Sequence, residues 1–246
     1  MSGLYAIISD IHGNAAAFKA VLAEIKRLGA EKICCLGDIV GYGAAAAECL
    51  ALARENCDFI IRGNHDEQVC PPRHPDMRPE AVAALEYTAR VLPAPDIEWL
   101  HNLPDVLAPD DLFVICHGAL TYRDDYILSS EAAYINLQLL ERRFPGKNIA
   151  FFGHTHFPMS LTLRGAKTNF AKGGTVLIDP TRCYLCNPGS VGQPRDQVPL
   201  ASFILYDAPN FQVQWHRVPY DIAVTQKEMQ EAGLPEKSWT RIAIGR

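Results

Sequence analysis

The sequence of 246 residues lacks an apolar run long enough to span a bilayer. Its first ten residues also lack the basic segment and long apolar run of a signal peptide. No charge sign is in large excess, since the formal net charge is −5 and acidic and basic residues are interspersed. Proteins that coat nucleic acid are usually basic. We therefore expect a cytoplasmic protein with no membrane partner and no nucleic-acid polymer as partner, although a nucleotide could still be a small substrate.

The sequence also lacks the paired cysteine motifs of a structural zinc site. Eight cysteines are present, and several lie inside apolar runs, which predicts buried free thiols and suits a reducing compartment. Cys183 and Cys186 have the spacing of a zinc knuckle or redox pair, but no second pair stands at a suitable distance. On a strand they would face opposite sides, so we expect core and edge packing.

Hydrophobic residues make up 48% of the chain, which favours a packed core over disorder. Short apolar runs alternate with stretches of helical periodicity in the first third. This pattern predicts a βαβαβ unit with a parallel sheet and right-handed crossovers. Its predicted elements are strand Leu4–Ser9, helix Asn14–Leu28, strand Lys32–Leu36, helix Ala44–Glu55 and strand Phe59–Arg62.

The remainder combines a variable middle section with a strand-rich end. Residues 67–111 contain a proline-rich loop and two predicted helices, and they could form a partial lid over a substrate entrance. Two further strands flank a helix predicted over Ser130–Arg143, and after Phe152 strand-like runs joined by turns replace helical periodicity. We expect an α/β fold in one domain, 1–246. It would contain two packed sheets flanked by helices and end in a helical tail over 220–246.

Five polar clusters each follow an apolar strand. Because ligands in open α/β folds gather beyond the carboxyl ends of strands, these clusters are expected to converge on one edge of the sheets. The clusters are Asp10-Ile11-His12, Gly37-Asp38, Gly63-Asn64-His65-Asp66, His117-Gly118 and Gly153-His154-Thr155-His156.

Carboxylate, amide and imidazole groups are hard-to-borderline ligands, in contrast to soft thiolates. Such a ligand set suits manganese, iron or zinc. A single histidine after a strand is usually a capping or surface residue. Five such clusters in order are much harder to explain by core packing, so a metal site is the stronger interpretation.

The order of these motifs resembles the calcineurin-like metallophosphoesterase superfamily. The later segment Asn187–Arg195 resembles the closing segment of its small prokaryotic branch, which includes phosphodiesterases and proteins described as diadenosine-tetraphosphatase-like. The resemblance covers most of the chain. It implies a β-sandwich flanked by helices and a metal-dependent phosphoesterase activity on a phosphomono- or phosphodiester of a small soluble substrate.

The resemblance also implies two divalent metal ions (Mn, Fe, Zn, Ni or Co) and a hydroxide held between them as the nucleophile. One ion would be held by Asp10, His12 and His156, the other by Asn64, His117 and His154, with Asp38 bridging both.

Further residues are expected near the reacting phosphoryl group. His65 follows a ligand and is not needed as one in the family pattern, so it is the candidate acid for the leaving group, and Asp66 is expected to orient its ring. Arg62, Arg123 and Arg195 are candidates for binding phosphate, because a guanidinium fork suits phosphate geometry. Each is as easily explained as a solvated or ion-paired side chain.

Two alternatives stay open. The chain could be a dinucleoside polyphosphate hydrolase or a protein-phosphatase-like enzyme. A non-catalytic scaffold of the same fold ranks last, because every ligand position and His65 are retained. The sequence leaves the substrate, the ester class, the metal and the oligomeric state open.

Overall fold

The structure is a computed structural model and describes residues 3–167 and 170–246. Over these residues the chain forms strands that make up two sheets, together with helices that lie outside the sheets. The strands are β1 Leu4–Ile8, β2 Lys32–Cys35, β3 Phe59–Ile60, β4 Val106–Leu107, β5 Val114–Cys116, β6 Ile149–Phe152, β7 Pro158–Thr162, β8 Gly165–Lys167, β9 Gly174–Leu177, β10 Tyr184–Pro188, β11 Ala201–Asp207 and β12 Gln212–Val218. The helices are α1 Ala15–Leu28, α2 Ala46–Asn56, α3 Asn64–Glu67, α4 Pro79–Val91, α5 Ala94–His101, α6 Ser130–Arg143, α7 Ile222–Glu231 and α8 Glu236–Arg241.

Each sheet is six-stranded and mixed. The first has the order β3-β2-β1-β11-β12-β9 and the second β4-β5-β6-β10-β7-β8. Strands β1, β2 and β3 run parallel to one another, and β5, β6 and β10 do the same in the second sheet. The carboxyl ends of each parallel set therefore lie at one edge of its sheet.

The two sheets pack face to face, with helices on both outer sides. The central core contains large apolar side chains from both sheets, including Ile7, Phe113 and Phe151. Phe18 of α1 belongs to the outer core on the first sheet, and Leu140 of α6 to the outer core on the second. The predicted α/β architecture of two packed sheets flanked by helices is confirmed.

Helix α1 shows how local chemistry sets the element ends. Asn14 caps its amino end by accepting a hydrogen bond from the backbone N–H of Ala17 at 3.1 Å. Gly29 ends the helix with a φ of 75°, in the left-handed region where glycine carries no steric penalty. The helix therefore begins directly after the first polar cluster, and its capping residue is part of the connection between them.

Several elements differ from the predictions. Among the strand-like runs expected after Phe152, the apolar run over Leu161–Leu163 is not one strand: it ends β7 and enters the turn to β8, which closes at Gly165 with a φ of 136°. The helical tail expected over 220–246 is divided into two helices, α7 and α8. All eight cysteines are free thiols, although Cys70 is exposed. Among the described residues, we find no helix with the length and apolar character that crossing a membrane requires.

Asn14→Ala is expected to lower the free energy of unfolding by about 1–3 kcal/mol, because it removes a helix cap and leaves buried partners unsatisfied. The Asn14 amide also donates to the carbonyl of Gly192, and its oxygen accepts from the Thr225 hydroxyl. Urea unfolding measures the change. Asn56→Ala is the matched control, since exposed Asn56 bonds only within α2. Equal, small losses in both variants would contradict this role.

Candidate metal centre

The polar clusters meet where the two sheets present their carboxyl ends. Backbone hydrogen bonds join the loops that carry them: the N–H of Asp10 donates to Gly37 at 3.1 Å, and the N–H of His12 donates to Asp38 at 2.9 Å. In the second sheet, the N–H of Gly153 donates to His117 at 2.6 Å. The loops are therefore fixed to one another by their backbones before any side chain is considered.

One group of side chains combines Asp10, His12 and His156. Their nearest ligand atoms all lie within 4.8 Å of one another, and all three residues are buried. The Nε2 atoms of His12 and His156 lie 3.1 Å apart, and Asp10 Oδ1 lies 3.2 Å from His156 Nε2. These are three donor atoms of the borderline-hard kind, converging on a space suited to one cation.

A second group combines Asp38, His117 and His154, again with ligand atoms within 4.8 Å of one another. Asn64 adds a fourth donor, since its Oδ1 lies 3.1 Å from His117 Nε2. The structure thus brings together all seven side chains predicted as ligands, in two adjacent groups.

Asp38 lies between the two groups. Its Oδ2 atom is 3.5 Å from Nε2 of His12 in the first group and 3.5 Å from Nε2 of His117 in the second. A single carboxylate oxygen therefore faces both groups at the same distance.

Both carboxylates are oriented in the same way. One oxygen accepts a backbone N–H: Asp10 Oδ2 from His154 at 3.1 Å, and Asp38 Oδ1 from His65 at 2.8 Å. The other oxygen points into the centre, and Asp10 Oδ1 has no hydrogen-bond partner among the described residues although it is buried. A buried carboxylate oxygen without a partner is costly, so this atom fits a cation.

The histidines are held with one ring nitrogen free. The Nδ1 atoms of His12, His117 and His156 lie 3.1, 2.7 and 2.6 Å from the backbone carbonyls of Val40, Leu36 and Gln193, respectively. A carbonyl can only accept, so Nδ1 carries a proton in each of these rings and Nε2 faces the centre. In His154 the two ring nitrogens exchange these roles, because here Nε2 lies 3.1 Å from the backbone carbonyl of Asp124.

The backbone at the centre is strained. Asp10, His12, Asp38, His154 and His156 all have positive φ values between 50° and 63°, in the left-handed region that non-glycine residues avoid. Each such residue costs on the order of 1–2 kcal/mol. Strain concentrated on the candidate ligands indicates that the surrounding fold holds them in place for function.

The charges of the centre are strongly coupled. Burial alone would raise the pKa of Asp10, but the adjacent His156 and His117 lower it below the usual range. Burial opposes the charged form of His117, yet the aspartates around it, Asp38 first, raise its pKa to about 10. Burial lowers the pKa of His154 to about 3. The ionised aspartates thus draw positive charge into the centre.

His65 lies in the same buried space. Its ring is 4.8 Å from the ring of His12 and 4.8 Å from the ring of Tyr42, measured between centroids. It also forms a group with His12 and Asp38 whose ligand atoms lie within 4.8 Å of one another. Its Nδ1 atom is buried and has no hydrogen-bond partner in the described part of the chain.

The expected contact between Asp66 and the His65 ring is wrong. The carboxylate of Asp66 instead accepts the backbone N–H groups of Asp38, Ile39 and Gly63 at 2.7–2.9 Å. Asp66 lies in α3, the short helix that follows β3, and locks it to the loop after β2. It therefore positions the backbone of Asp38 and does not orient an acid.

Two of the three candidate arginines lie in an ion-pair network beside the centre. Arg62 binds Asp105 at 3.0 Å, and Arg123 binds Asp105 at 3.1 Å and also pairs with Glu67 and Asp124. These carboxylates compensate the charge of both arginines. Neither arginine is therefore free for the phosphate-binding role for which it was a candidate.

A cavity of about 590 Å³ opens next to the centre. Asn64, His65 and His154 form part of its lining, and Arg195 is the one candidate arginine that reaches it among the described residues. The sequence reasoning missed other lining residues, which carry no motif and are brought in by the fold: Tyr42, His74, Asp76, Arg78 and Tyr126. Three of these, His74, Asp76 and Arg78, belong to the segment 67–111.

Comparisons with known proteins give a matching family model and several similar chains. Residues 4–210 match the model of the calcineurin-like phosphoesterase superfamily domain. An uncharacterized protein of Methanocaldococcus jannaschii is 33% identical over 256 residues, with both chains fully covered. The crystal structure of a metallophosphoesterase from Sphaerobacter thermophilus is 34% identical, with full coverage of both chains and a TM-score of 0.85. A hypothetical protein from Pyrococcus horikoshii OT3 shares the fold at 20% identity and a TM-score of 0.77, with 99% and 98% coverage.

Gly63→Ala is expected to reduce the metal retained by the protein by at least one ion per chain. A Cβ atom at Gly63 would collide with the carboxylate and backbone N–H of Asp38. The loop that carries Asp38 is strained and closely packed against Gly63. The added Cβ atom would therefore displace Asp38. Metal analysis after dialysis against manganese measures the effect.

Gly233→Ala is the control for this variant. Gly233 has a φ of 70° and no atom within 4 Å of the added Cβ, so its cost is backbone strain of about 1 kcal/mol without loss of metal. Full metal content in Gly63→Ala would show that Asp38 is not held by this close contact.

Proposed function

The chain belongs to the calcineurin-like phosphoesterase superfamily and is a hydrolase that acts on ester bonds, and from this we propose that it cleaves a phosphomono- or phosphodiester of a small substrate at two divalent metal ions. The observation that carries the proposal is the position of Asp38 Oδ2, 3.5 Å from a histidine nitrogen of each group. A carboxylate oxygen that faces both groups supports a ligand shared between two ions.

The ligand sets follow from the two groups of side chains. Asp10, His12 and His156 would hold one ion, Asn64, His117 and His154 the other, and Asp38 both. The donor chemistry fits manganese, iron, zinc, nickel or cobalt, and does not distinguish among them. When bound, such a pair clamps a phosphoryl group and lowers the pKa of water toward neutrality.

The residues around the ligands would bind the substrate and exclude water. Arg195 lines the cavity, with its guanidinium held 3.1 Å from Gln193 Oε1 and 6.0 Å from the centre of the Tyr42 ring. Its buried Nε has no partner among the described residues. Arg195 is therefore anchored at one side and has donors left for a phosphoryl oxygen.

His65 is proposed to protonate the leaving group. It lines the cavity beside the candidate ligand Asn64, and its backbone N–H donates to Asp38. Its packing between His12 and Tyr42 fixes the ring, and its unpaired Nδ1 leaves one nitrogen without a competing partner. A general acid needs a fixed position and a ring nitrogen without a competing partner.

The cavity favours a small substrate. Its volume of about 590 Å³ falls in the range of ordinary small-molecule sites. His74, Asp76 and Arg78 form one wall, which supports the proposal that part of 67–111 acts as a partial lid.

A second candidate activity is hydrolysis of a dinucleoside polyphosphate. Arg78 and Arg195 line the same cavity and so offer two cationic groups where a simple monoester needs one. A substrate with several phosphates would use both. A protein-phosphatase-like activity has no such specific support in the structure.

A panel of mono-, di- and polyphosphate esters tests the function. Manganese-loaded protein is expected to release p-nitrophenol from p-nitrophenyl phosphate, from bis-p-nitrophenyl phosphate, or from both. Asp38→Asn should lower kcat by at least about 10³-fold, because the shared ligand is lost. Full metal content without hydrolysis of any ester would favour the scaffold alternative.

His65→Ala is expected to lower kcat by about 10²–10⁴-fold on a phenyl ester and clearly less on the matching p-nitrophenyl ester. A poor leaving group needs the proton, whereas p-nitrophenolate leaves without it. His101→Ala, at an exposed position on α5, is the control and should match the wild type. Equal losses on both esters would contradict the role of acid.

A further inference from the structure

A second cavity of about 690 Å³ lies next to the candidate active site. It runs between helix α6 and the β7–β8 hairpin, and we call it the α6 groove. Its floor includes the buried side chains of Leu137, Met159 and Leu161, and exposed Tyr134 and Leu163 stand at its sides. Arg164 is the only charged lining residue within the described part of the chain.

The α6 groove adjoins the active-site cavity. Leu128 and Phe157 line both cavities, so the two spaces meet at these side chains. Phe157 directly follows the candidate ligand His156, and its N–H donates to the Thr155 hydroxyl at 3.2 Å. This bond fixes the backbone of Phe157 to the loop that carries the candidate ligands His154 and His156.

Leu128, the other residue that lines both cavities, also lies near the metal centre along the chain. Tyr126 stacks on the ring of His154, with a centroid distance of 4.0 Å. Leu128 lies two residues farther along the chain and is 64% exposed. Apolar surface thus leads from the edge of the metal centre across Leu128 and Phe157 into the groove. Monomeric proteins rarely expose such a continuous apolar patch without a function.

We propose that the α6 groove binds an apolar arm of the substrate, so that the physiological ester carries an alkyl or comparable apolar group. This deepens the proposed phosphoester hydrolysis and rests on it. A phosphoryl group at the metals would place the remainder of the ester beside Leu128 and Phe157. The apolar walls favour a hydrocarbon there and offer little to a second phosphate.

Binding of alkylphosphonates to the manganese-loaded protein tests the proposal. The phosphonate group occupies the metal site and is not hydrolysed, while the alkyl chain probes the groove. Each methylene group that leaves water increases affinity by about fourfold. Isothermal titration calorimetry is therefore expected to show that hexylphosphonate binds at least about tenfold more tightly than methylphosphonate.

Two variants and two matched controls locate the effect. Leu163→Glu and Tyr134→Glu place a charge at the groove and should reduce the hexyl-to-methyl affinity ratio to about one. Leu177→Glu and Ile135→Glu should keep the wild-type ratio. Leu177 is 68% exposed against 63% for Leu163, and Ile135 lies on α6 beside Tyr134 but does not line the groove.

The outcomes separate this proposal from the proposed function. Methylphosphonate binding with no gain for hexylphosphonate would overturn the groove proposal and leave phosphoester hydrolysis intact. No binding of either phosphonate, together with no hydrolysis of the chromogenic esters, would overturn both. A change of oligomeric state in Leu163→Glu with an unchanged affinity ratio would show that a second copy of the chain occupies the groove, which also overturns it.

Discussion

The balance of charge in one buried pocket is the constraint on which this structure depends. Two aspartates and five imidazoles are buried together, and the inward oxygen of Asp10 has no partner among the described residues. Burying carboxylates without compensating charge is expensive. Two divalent ions would compensate both aspartates, satisfy the free ring nitrogens and supply the chemistry of ester hydrolysis. Stability and function are therefore connected at the same atoms.

The rest of the fold holds these atoms in place. Each aspartate gives one oxygen to a backbone N–H, and three histidines give one nitrogen to a backbone carbonyl. The left-handed backbone at Asp10, Asp38 and His154 would be unfavourable in isolation. The sheets on either side and the hydrogen bonds between the loops offset that cost. Rigid positioning of this kind is what a preorganised site requires.

The convergence of the candidate ligands could be predicted because their positions follow a local rule. A polar cluster directly after an apolar strand lies at a sheet edge, and parallel strands bring such edges together. The partners of the remaining residues depend on contacts distant in sequence. Arg62 pairs with Asp105, 43 residues away, and Asp66 bonds to Asp38, 28 residues away. Nothing near Asp66 in the sequence distinguishes a carboxylate that orients a ring from one that holds a backbone turn.

Anomalous X-ray scattering from a crystal of the manganese-loaded protein tests the central claim most directly. The account predicts two metal peaks per chain, roughly 3.5–4 Å apart, with Asp38 Oδ2 in contact with both. One peak would lie in contact with Asp10, His12 and His156, and the other in contact with Asn64, His117 and His154. A single fully occupied peak, or two peaks of which only one contacts Asp38, would contradict it.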